Sequence, residues 1–582
     1  MTRRTRWLVA LGIAAAASIS AAGRPQNGPG PTLTLSIVGT NDLHGAVVSR
    51  DRRGGLEWLG GYLANLRAAR SRDGGAVVLV DAGDMFQGTL ESNLTEGASV
   101  VAAYNALGFH AVAIGNHDLD FGPVGPAATP ASAADDARGA LKARASEATF
   151  PFLAANLIDE VTGRPVSWPN VKPSATVQAG GVTVGLIGVM TSGALMATIS
   201  ANTRGLRVAP LAETIAAEAA QLRRTGADVV VAVAHAGGRC ARWDNPRDLS
   251  SCDPTDSEIV DVVRTLPRGA VDVVVAGHTH AAMAHDIDGT IVTQAFSNGV
   301  AFARADLTID RRTRAVRGKR VFAPRDICAE VVRGTDRCDA AVMRGRPLVA
   351  AEYEGQPVRA DASIVAVLAP AVEQARRLKT APLGVVLETP IRRRGGVESP
   401  LGNLFTDAFH AAVPGADVAI NNTRGGLRAD LPSGPLTYGS LFEAFPFDNR
   451  LVRLETTGGG LREIFERQLS EGQTLLGISG LRVVAGCSGG RFRVALVTPS
   501  GRAIADDDRL LVVTTDFLAM GGDGVFTNVA TDGFAVAEGL PLARDVVADW
   551  FRRRGGRLRE DQLIDAARPR WEYPGGLPVR CA

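Results

Sequence analysis

The chain contains only 8 histidines, and five of them stand in short polar clusters: His44, His117, His235, His278 and His280. The same clusters hold Asp42, Asp84 and Asn116. Imidazole, carboxylate and amide oxygen together form a donor set suited to borderline divalent cations such as zinc or manganese. Histidines used only for packing have no reason to gather in this way. The competing reading is a hydrogen-bonded polar rim on an inert domain.

Each cluster closes an apolar, β-branched run. Leu33–Val38 leads into Asn41-Asp42-Leu43-His44, Ala76–Val80 into Asp81-Ala82-Gly83-Asp84, and Ala111–Ile114 into Gly115-Asn116-His117-Asp118. Asp228–Ala234 leads into His235, Val271–Ala276 leads into Gly277-His278-Thr279-His280, and Val182–Val189 is a further run. Apolar runs bounded by turns read as buried strands. Helical patterns at Leu56–Arg70, Val100–Leu107 and Leu211–Arg224 lie between them, and this alternation predicts an α/β domain. In open α/β sheets, sites collect at the carboxyl ends of strands. Five clusters far apart in sequence can therefore meet in one cleft. Pro123 to Ala148 reads as a surface insertion plus a helix, and Asp361–Lys379 as a connecting helix interrupted at Pro370. A second domain is expected from about Ala381 to about Gly556.

In their order, the five clusters resemble the calcineurin-like metallophosphoesterases. That resemblance implies an α/β/β/α sandwich holding two divalent metal ions, zinc or manganese. It implies that Asp42, His44 and His280 hold one ion, that Asn116, His235 and His278 hold the other, and that Asp84 bridges them. It further implies that a hydroxide activated by both metals attacks phosphorus in line. His117 resembles the family's catalytic histidine rather than a ligand; a cation there would stabilise charge on the phosphoryl oxygens. Asp120, three residues on, shares its face if a helical turn begins here. That carboxylate would orient the imidazole and favour its charged form. Asp81 and Asp118 are expected to support the ligands from behind.

The second half resembles the 5′-nucleotidase C-terminal domain in four segments: Glu398 to Ala408, Gly425 to Asp430, Phe445 to Asn449, and Asp516 to Gly524. The resemblance implies a nucleotide or nucleotide-sugar substrate. Phe447 and Phe517 can sandwich a flat base, a contact that tolerates different bases. Asp523 can accept hydrogen bonds from ribose hydroxyls, and Arg428 can grip a phosphate in a forked geometry. Asn421 or Asn422 fits the family's asparagine, with Asn422 preferred. One of Arg392, Arg393 and Arg394 fits an upstream arginine, with Arg394 preferred. The Gly458-Gly459-Gly460 run reads as a strand-to-helix turn rather than an anion cradle.

Taken together, an export signal is expected at 1–22, the metallophosphoesterase domain at 32–325, a linker with its helix at 326–380, the second α/β domain at 381–556 and a tail at 557–582. The signal rests on Arg3, Arg4 and Arg6, the apolar run Trp7–Ile19 and the small residues Ser20 to Gly23. That run is shorter than the roughly 20 residues of a bilayer span, so no transmembrane anchor is expected and the protein is periplasmic or secreted. The 63 basic residues nearly cancel the 61 acidic ones, so no overall field favours polymeric nucleic acid or an anionic membrane. Six cysteines in an exported chain favour disulfides; of the fifteen pairings they allow, Cys240–Cys252 and Cys328–Cys338 are the natural local pairs, and Cys487–Cys581 would then tie the tail to the last domain. The function expected is release of inorganic phosphate and nucleoside from nucleotides. A nucleotide-sugar pyrophosphatase or a cyclic-nucleotide phosphodiesterase is the alternative on the same scaffold. A non-enzymatic surface-binding protein ranks lower because every ligand position is intact. Oligomeric state is not legible.

Overall fold

Two sheets rich in β-branched residues form the first half. In the first, strands run in the order Val316–Asp326, Ala301–Asp310, Thr32–Thr40, Ala76–Asp81, Ala111–Ala113, Phe152–Leu153 and Val171–Lys172. In the second, the order is Ala282–Ile287, Thr290–Ala295, Val273–Ala276, Val229–His235, Val182–Met190 and Ser174–Ala179. Thr32–Thr40 pairs in parallel with Ala76–Asp81, and Val229–His235 in parallel with both Val182–Met190 and Val273–Ala276. The strands that precede the polar clusters therefore end on the same side of their sheets. This computed structural model describes residues 30–581 except 126, 131, 133, 395, 396, 473, 474, 489, 528, 530–533 and 537–541. The expected export signal at 1–22 lies outside the described residues.

The sheets pack face to face through Leu35, Ile37, Val78, Val80, Leu186, Val231, Val233 and Val275. Helices Leu56–Asp73 and Ala98–Leu107 cover the outer face of the first sheet. Helices Leu211–Arg224 and Glu258–Thr265 cover that of the second. The layers are α/β/β/α, as expected. Glycine sets how closely the sheets approach. A Cβ on Gly39 would lie 2.4 Å from Val275 Cγ1, and one on Gly188 would lie 2.4 Å from the Leu153 carbonyl oxygen.

Helix Ala362–Lys379 is continuous, not interrupted at Pro370. Its buried positions, Ile364, Leu368, Ala371 and Ala375, form one stripe, and Pro370 lies on the exposed side. The carbonyl freed by proline faces water there, so the helix survives the lost hydrogen bond. Asp361 caps the start, its carboxylate accepting from Ser363 N at 2.9 Å.

The second α/β unit is built on a five-stranded sheet in the order Gly477–Ser479, Val418–Asn421, Arg509–Thr515, Leu451–Thr457 and Phe534–Val536. Helices Pro400–Ala412 and Gly458–Glu471 pack on it. Thr457 caps the latter by accepting from Gly460 N; the glycine run, expected as a turn ahead of the helix, is the first turn of the helix itself. The segment expected as a tail is woven into this unit. Gly556–Leu558 pairs with Pro382–Leu387, Trp571 is 1% exposed, and Trp571–Glu572 pairs with Arg482–Ser488. Its partners lie some ninety residues or more away, which no local pattern reveals. Disulfides join Cys240 to Cys252, Cys328 to Cys338 and Cys487 to Cys581, the expected pairs. Among the described residues no helix is long and apolar enough to cross a membrane.

The halves meet through side chains of both. Leu90, from the short helix Leu90–Asn93, is 2% exposed within the core of the second half. Glu91 pairs with Lys379 at 2.6 Å, Gln87 Nε2 donates to Pro446 O at 2.8 Å, and Asn93 Nδ2 donates to Asp448 Oδ2 at 3.3 Å.

Gly188→Ala should wedge the sheets apart against a backbone carbonyl that cannot yield, costing about 1–3 kcal/mol. The measurement is the denaturant midpoint alongside hydrolytic activity. We expect both to fall, because the second sheet carries His235 and the first carries Asp42 and Asp84.

Candidate metal centre and substrate cavity

Loops following the parallel strands bring the seven proposed ligand residues together. Oxygen or nitrogen atoms of Asp42, His44, Asp84 and His280 lie within 4.8 Å of one another. Asp84 Oδ2 lies 3.9 Å from His44 Nε2 and 3.3 Å from His235 Nε2, between the two groups of ligands. On the far side, His235 Nε2 faces Asn116 Oδ1 at 3.0 Å and His278 Nδ1 at 3.2 Å. On the near side, His44 Nε2 faces His280 Nε2 at 2.9 Å, and His280 Nε2 lies 3.5 Å from Asp42 Oδ1.

Backbone carbonyls set the imidazole tautomers. His44 Nδ1 donates to Gln87 O at 2.9 Å, and His235 Nδ1 donates to Ala82 O at 2.8 Å. Each Nε2 is left with its lone pair aimed at the cluster, the arrangement metal-ligating histidines use. Asn116 is held in the same sense, its Nδ2 donating to Ala197 O while Oδ1 faces His235. Lone pairs from nitrogen and oxygen converge with two buried carboxylates, a donor set that fits divalent cations.

Burial, the largest influence, pushes His44 down to about 3 and His278 down to about 4, so both imidazoles are neutral. Burial also opposes charge on His117, but the Asp120 and Asp84 carboxylates outweigh it and push this histidine up to about 9. Burial disfavours the Asp84 carboxylate, yet His235 and His117 hold it well below its usual range. His117 Nδ1 donates to Asp120 Oδ2 at 2.6 Å, and Thr198 Oγ1 donates to Asp120 Oδ1 at 2.7 Å. The turn here is the short 3-10 segment His117–Leu119, tight enough to place residues 117 and 120 side by side.

Supporting residues fix the loops. Asp118 accepts from three backbone N–H groups, those of Asp84, Met85 and Gly115, at 3.1, 2.8 and 2.9 Å. Asp81 accepts from Gly83 N, Thr40 Oγ1 and Tyr104 Oη. Gly115 has no alternative, since a Cβ there would lie 2.2 Å from Asp84 Oδ1. Asp42, His44, Asp84, His278 and His280 all take left-handed backbone conformations, with φ between 49° and 75°.

A cavity opens beside His117 and Asp120, lined from the other half of the chain by Asn422, Arg428, Phe447, Phe517 and Asp523. Arg428 stacks over the Phe447 ring at 5.1 Å, and Asn422 Nδ2 donates to Asp523 Oδ2 at 2.7 Å. Arg394 is not brought in: it is exposed and does not line the cavity. Arg393 is the arginine turned inward, with Nη1 donating to Leu427 O at 3.2 Å and its charge close enough to perturb Arg428. Arg392 pairs instead with Glu560. Sequence reasoning missed Gln87, Thr198 and Ile199, which also line the cavity. They sit in loops without a motif, and only their position after Asp84 and after the strand Val182–Met190 marks them.

This two-part arrangement has known counterparts. Residues 35–282 match the calcineurin-like phosphoesterase family, and residues 378–531 match the 5′-nucleotidase C-terminal domain. The chain therefore joins a calcineurin-like metallophosphoesterase domain to a 5′-nucleotidase C-terminal domain. It is 26% identical over 465 residues to "Endonuclease YhcR" of Bacillus subtilis, covering 76% of this chain and 34% of that protein. It is 26% identical over 545 residues to "Cell wall protein Lmo0130" of Listeria monocytogenes, covering 85% of this chain and 64% of that one. The chain thus spans about a third of the first relative and under two thirds of the second. A 5′-nucleotidase precursor from Thermus thermophilus shares the fold at 22% identity and a TM-score of 0.63, covering 93% of this chain and 99% of that one.

Asp84→Ala should strip divalent metal from the purified protein, as read by elemental analysis, and abolish hydrolysis. His117→Ala should keep wild-type metal content while turnover falls roughly 10²- to 10³-fold, the usual scale for removing a transition-state donor. Full metal retention in Asp84→Ala would refute the bridging assignment.

Proposed function

We propose that the protein is an exported phosphoric monoester hydrolase that uses two divalent metals, zinc or manganese, to release inorganic phosphate and nucleoside from 5′-nucleotides. The observation that carries this reading is the shared cavity. His117 and Asp120, beside the metal ligands, line the same space as Phe447, Phe517 and Asp523. A phosphate and a nucleoside can therefore be held at once.

Asp42, His44 and His280 would hold one ion and Asn116, His235 and His278 the other, with the Asp84 carboxylate shared. When bound, such ions polarise a phosphoryl group and acidify water. His117 carries a proton that Asp120 fixes on Nδ1, and the imidazolium offsets charge building on the phosphoryl oxygens. Arg428, stacked on Phe447, offers a planar fork to a phosphate or sugar oxygen. Phe447 and Phe517 supply two faces for a base, and Asn422 steadies Asp523 so that its carboxylate can receive ribose hydroxyls. Three disulfides fit an oxidising compartment and support export to the periplasm or the medium.

The test is phosphate release from AMP, UMP, ATP, UDP-glucose, a cyclic nucleotide and an aryl phosphate, after chelation and again with zinc or manganese restored. We expect metal-dependent release that favours 5′-mononucleotides. Phe447→Ala or Phe517→Ala should raise the nucleotide KM roughly 5- to 100-fold, the worth of one stacked base. Preference for UDP-glucose or the cyclic nucleotide would move the assignment to a pyrophosphatase or a phosphodiesterase. Activity on the aryl phosphate alone would remove the base clamp.

A further inference from the structure

Arg544 opens the helix Ala543–Arg554, almost a hundred residues after the Phe445–Asn449 segment, and does not line the substrate cavity. It is nevertheless 3% exposed and spends every guanidinium nitrogen on that segment or its support. Nη1 donates to Phe447 O at 3.0 Å and to Phe445 O at 3.3 Å, and Nη2 donates to Asp448 Oδ1 at 2.5 Å. Nε donates to Tyr438 Oη at 3.0 Å, and Tyr438 Oη donates in turn to Asp545 Oδ1 at 2.6 Å. The plane lies over the Phe442 ring at 4.6 Å. Just before Arg544, Ala543 N donates to Asn449 O at 2.8 Å.

Residues 445–449 form neither helix nor strand. The Phe445 N–H bonds Leu441 O, but the Phe445 and Phe447 carbonyls point at Arg544. A buried carbonyl without a donor is costly, so this guanidinium decides where the backbone under Phe447 lies. A lysine could keep the charge but not the fork, because one ammonium cannot span two carbonyls and a carboxylate in a plane. The ring itself is stacked by Arg428, 5.1 Å from its centroid.

Resting on the nucleotide reading above, we infer that Arg544 is a positioning residue for the aromatic clamp: it fixes the Phe447 backbone so that the ring presents its face to the base. Its effect should appear in nucleoside binding and leave phosphate binding untouched.

The experiment compares Arg544→Lys, Phe447→Ala and the double variant. The readouts are nucleotide KM and kcat and the inhibition constants of the two products, the nucleoside and inorganic phosphate. For Arg544→Lys we expect nucleotide KM and nucleoside Ki to rise about 5- to 20-fold, with kcat and phosphate Ki within about twofold of wild type. Adding Arg544→Lys to Phe447→Ala should raise KM little further, since coupled residues act as one unit. If Arg544→Lys does not fold, Tyr438→Phe removes one hydrogen bond to Arg544 at constant volume. It should shift nucleoside Ki about 2- to 5-fold in the same direction. Equal weakening of both product inhibitors, additive effects in the double variant, or an unchanged nucleoside Ki in the variant that folds would overturn the role. Should Phe447→Ala itself leave the nucleoside Ki unchanged, the clamp falls and this role with it; should Phe447→Ala raise it while Arg544→Lys does not, only Arg544 is misassigned.

Discussion

Two carboxylates lie buried side by side in one loop cluster, Asp42 at 0% and Asp84 at 1% exposure. Burying a carboxylate in low dielectric is tolerable only when positive charge and donors surround it. The first half of the molecule meets that demand. His278 N donates to both oxygens of Asp42, Asn41 Nδ2 adds a third bond, and His117 N donates to Asp84 Oδ1. Imidazoles fill the remaining directions, and their lone pairs leave a place for cationic charge. The parallel strands, the close approach at Gly188 and the Asp118 tie all serve to keep these acids together.

Much of this was legible in the sequence because parallel strands buried on both faces are apolar runs that stop abruptly. The run before Asp84 and the run before Asn116 end within a few residues of their observed limits, and the helix Leu211–Arg224 has the bounds its pattern predicts. Residue type then did the rest, since aspartate, asparagine and histidine clustered after strands have few other uses. What escaped was whatever depends on long-range geometry. Nothing in the three consecutive residues Arg392, Arg393 and Arg394 says which turns inward, because a loop has no periodicity to read. Trp571 looks like part of a tail until its strand partner is known. Pro370 reads as a break because the sequence does not show that its freed carbonyl faces solvent.

The cavity beside His117 belongs to neither half alone. One side comes from the 3-10 turn His117–Leu119 and the loop at Thr198, the other from segments spread between Asn422 and Asp523. Leu90 in the opposite core and the Gln87–Pro446 bond tie the metal-bearing loops to the segment that carries Phe447. In the proposed function, recognition of a base and chemistry at phosphorus would be joined through a handful of side chains near residues 87–93.

The left-handed backbone at Asp42, His44, Asp84, His278 and His280 has a consequence for how the protein comes apart. Each such residue is disfavoured by roughly 1–2 kcal/mol relative to ordinary conformations, and only contacts from neighbouring loops hold it there. The loops that carry them are therefore expected to open together at a lower free energy than the sandwich beneath them. Their amide protons are expected to exchange with solvent ahead of those in strands such as Val229–His235. A sample whose circular dichroism looks fully native can have already lost its catalytic loops.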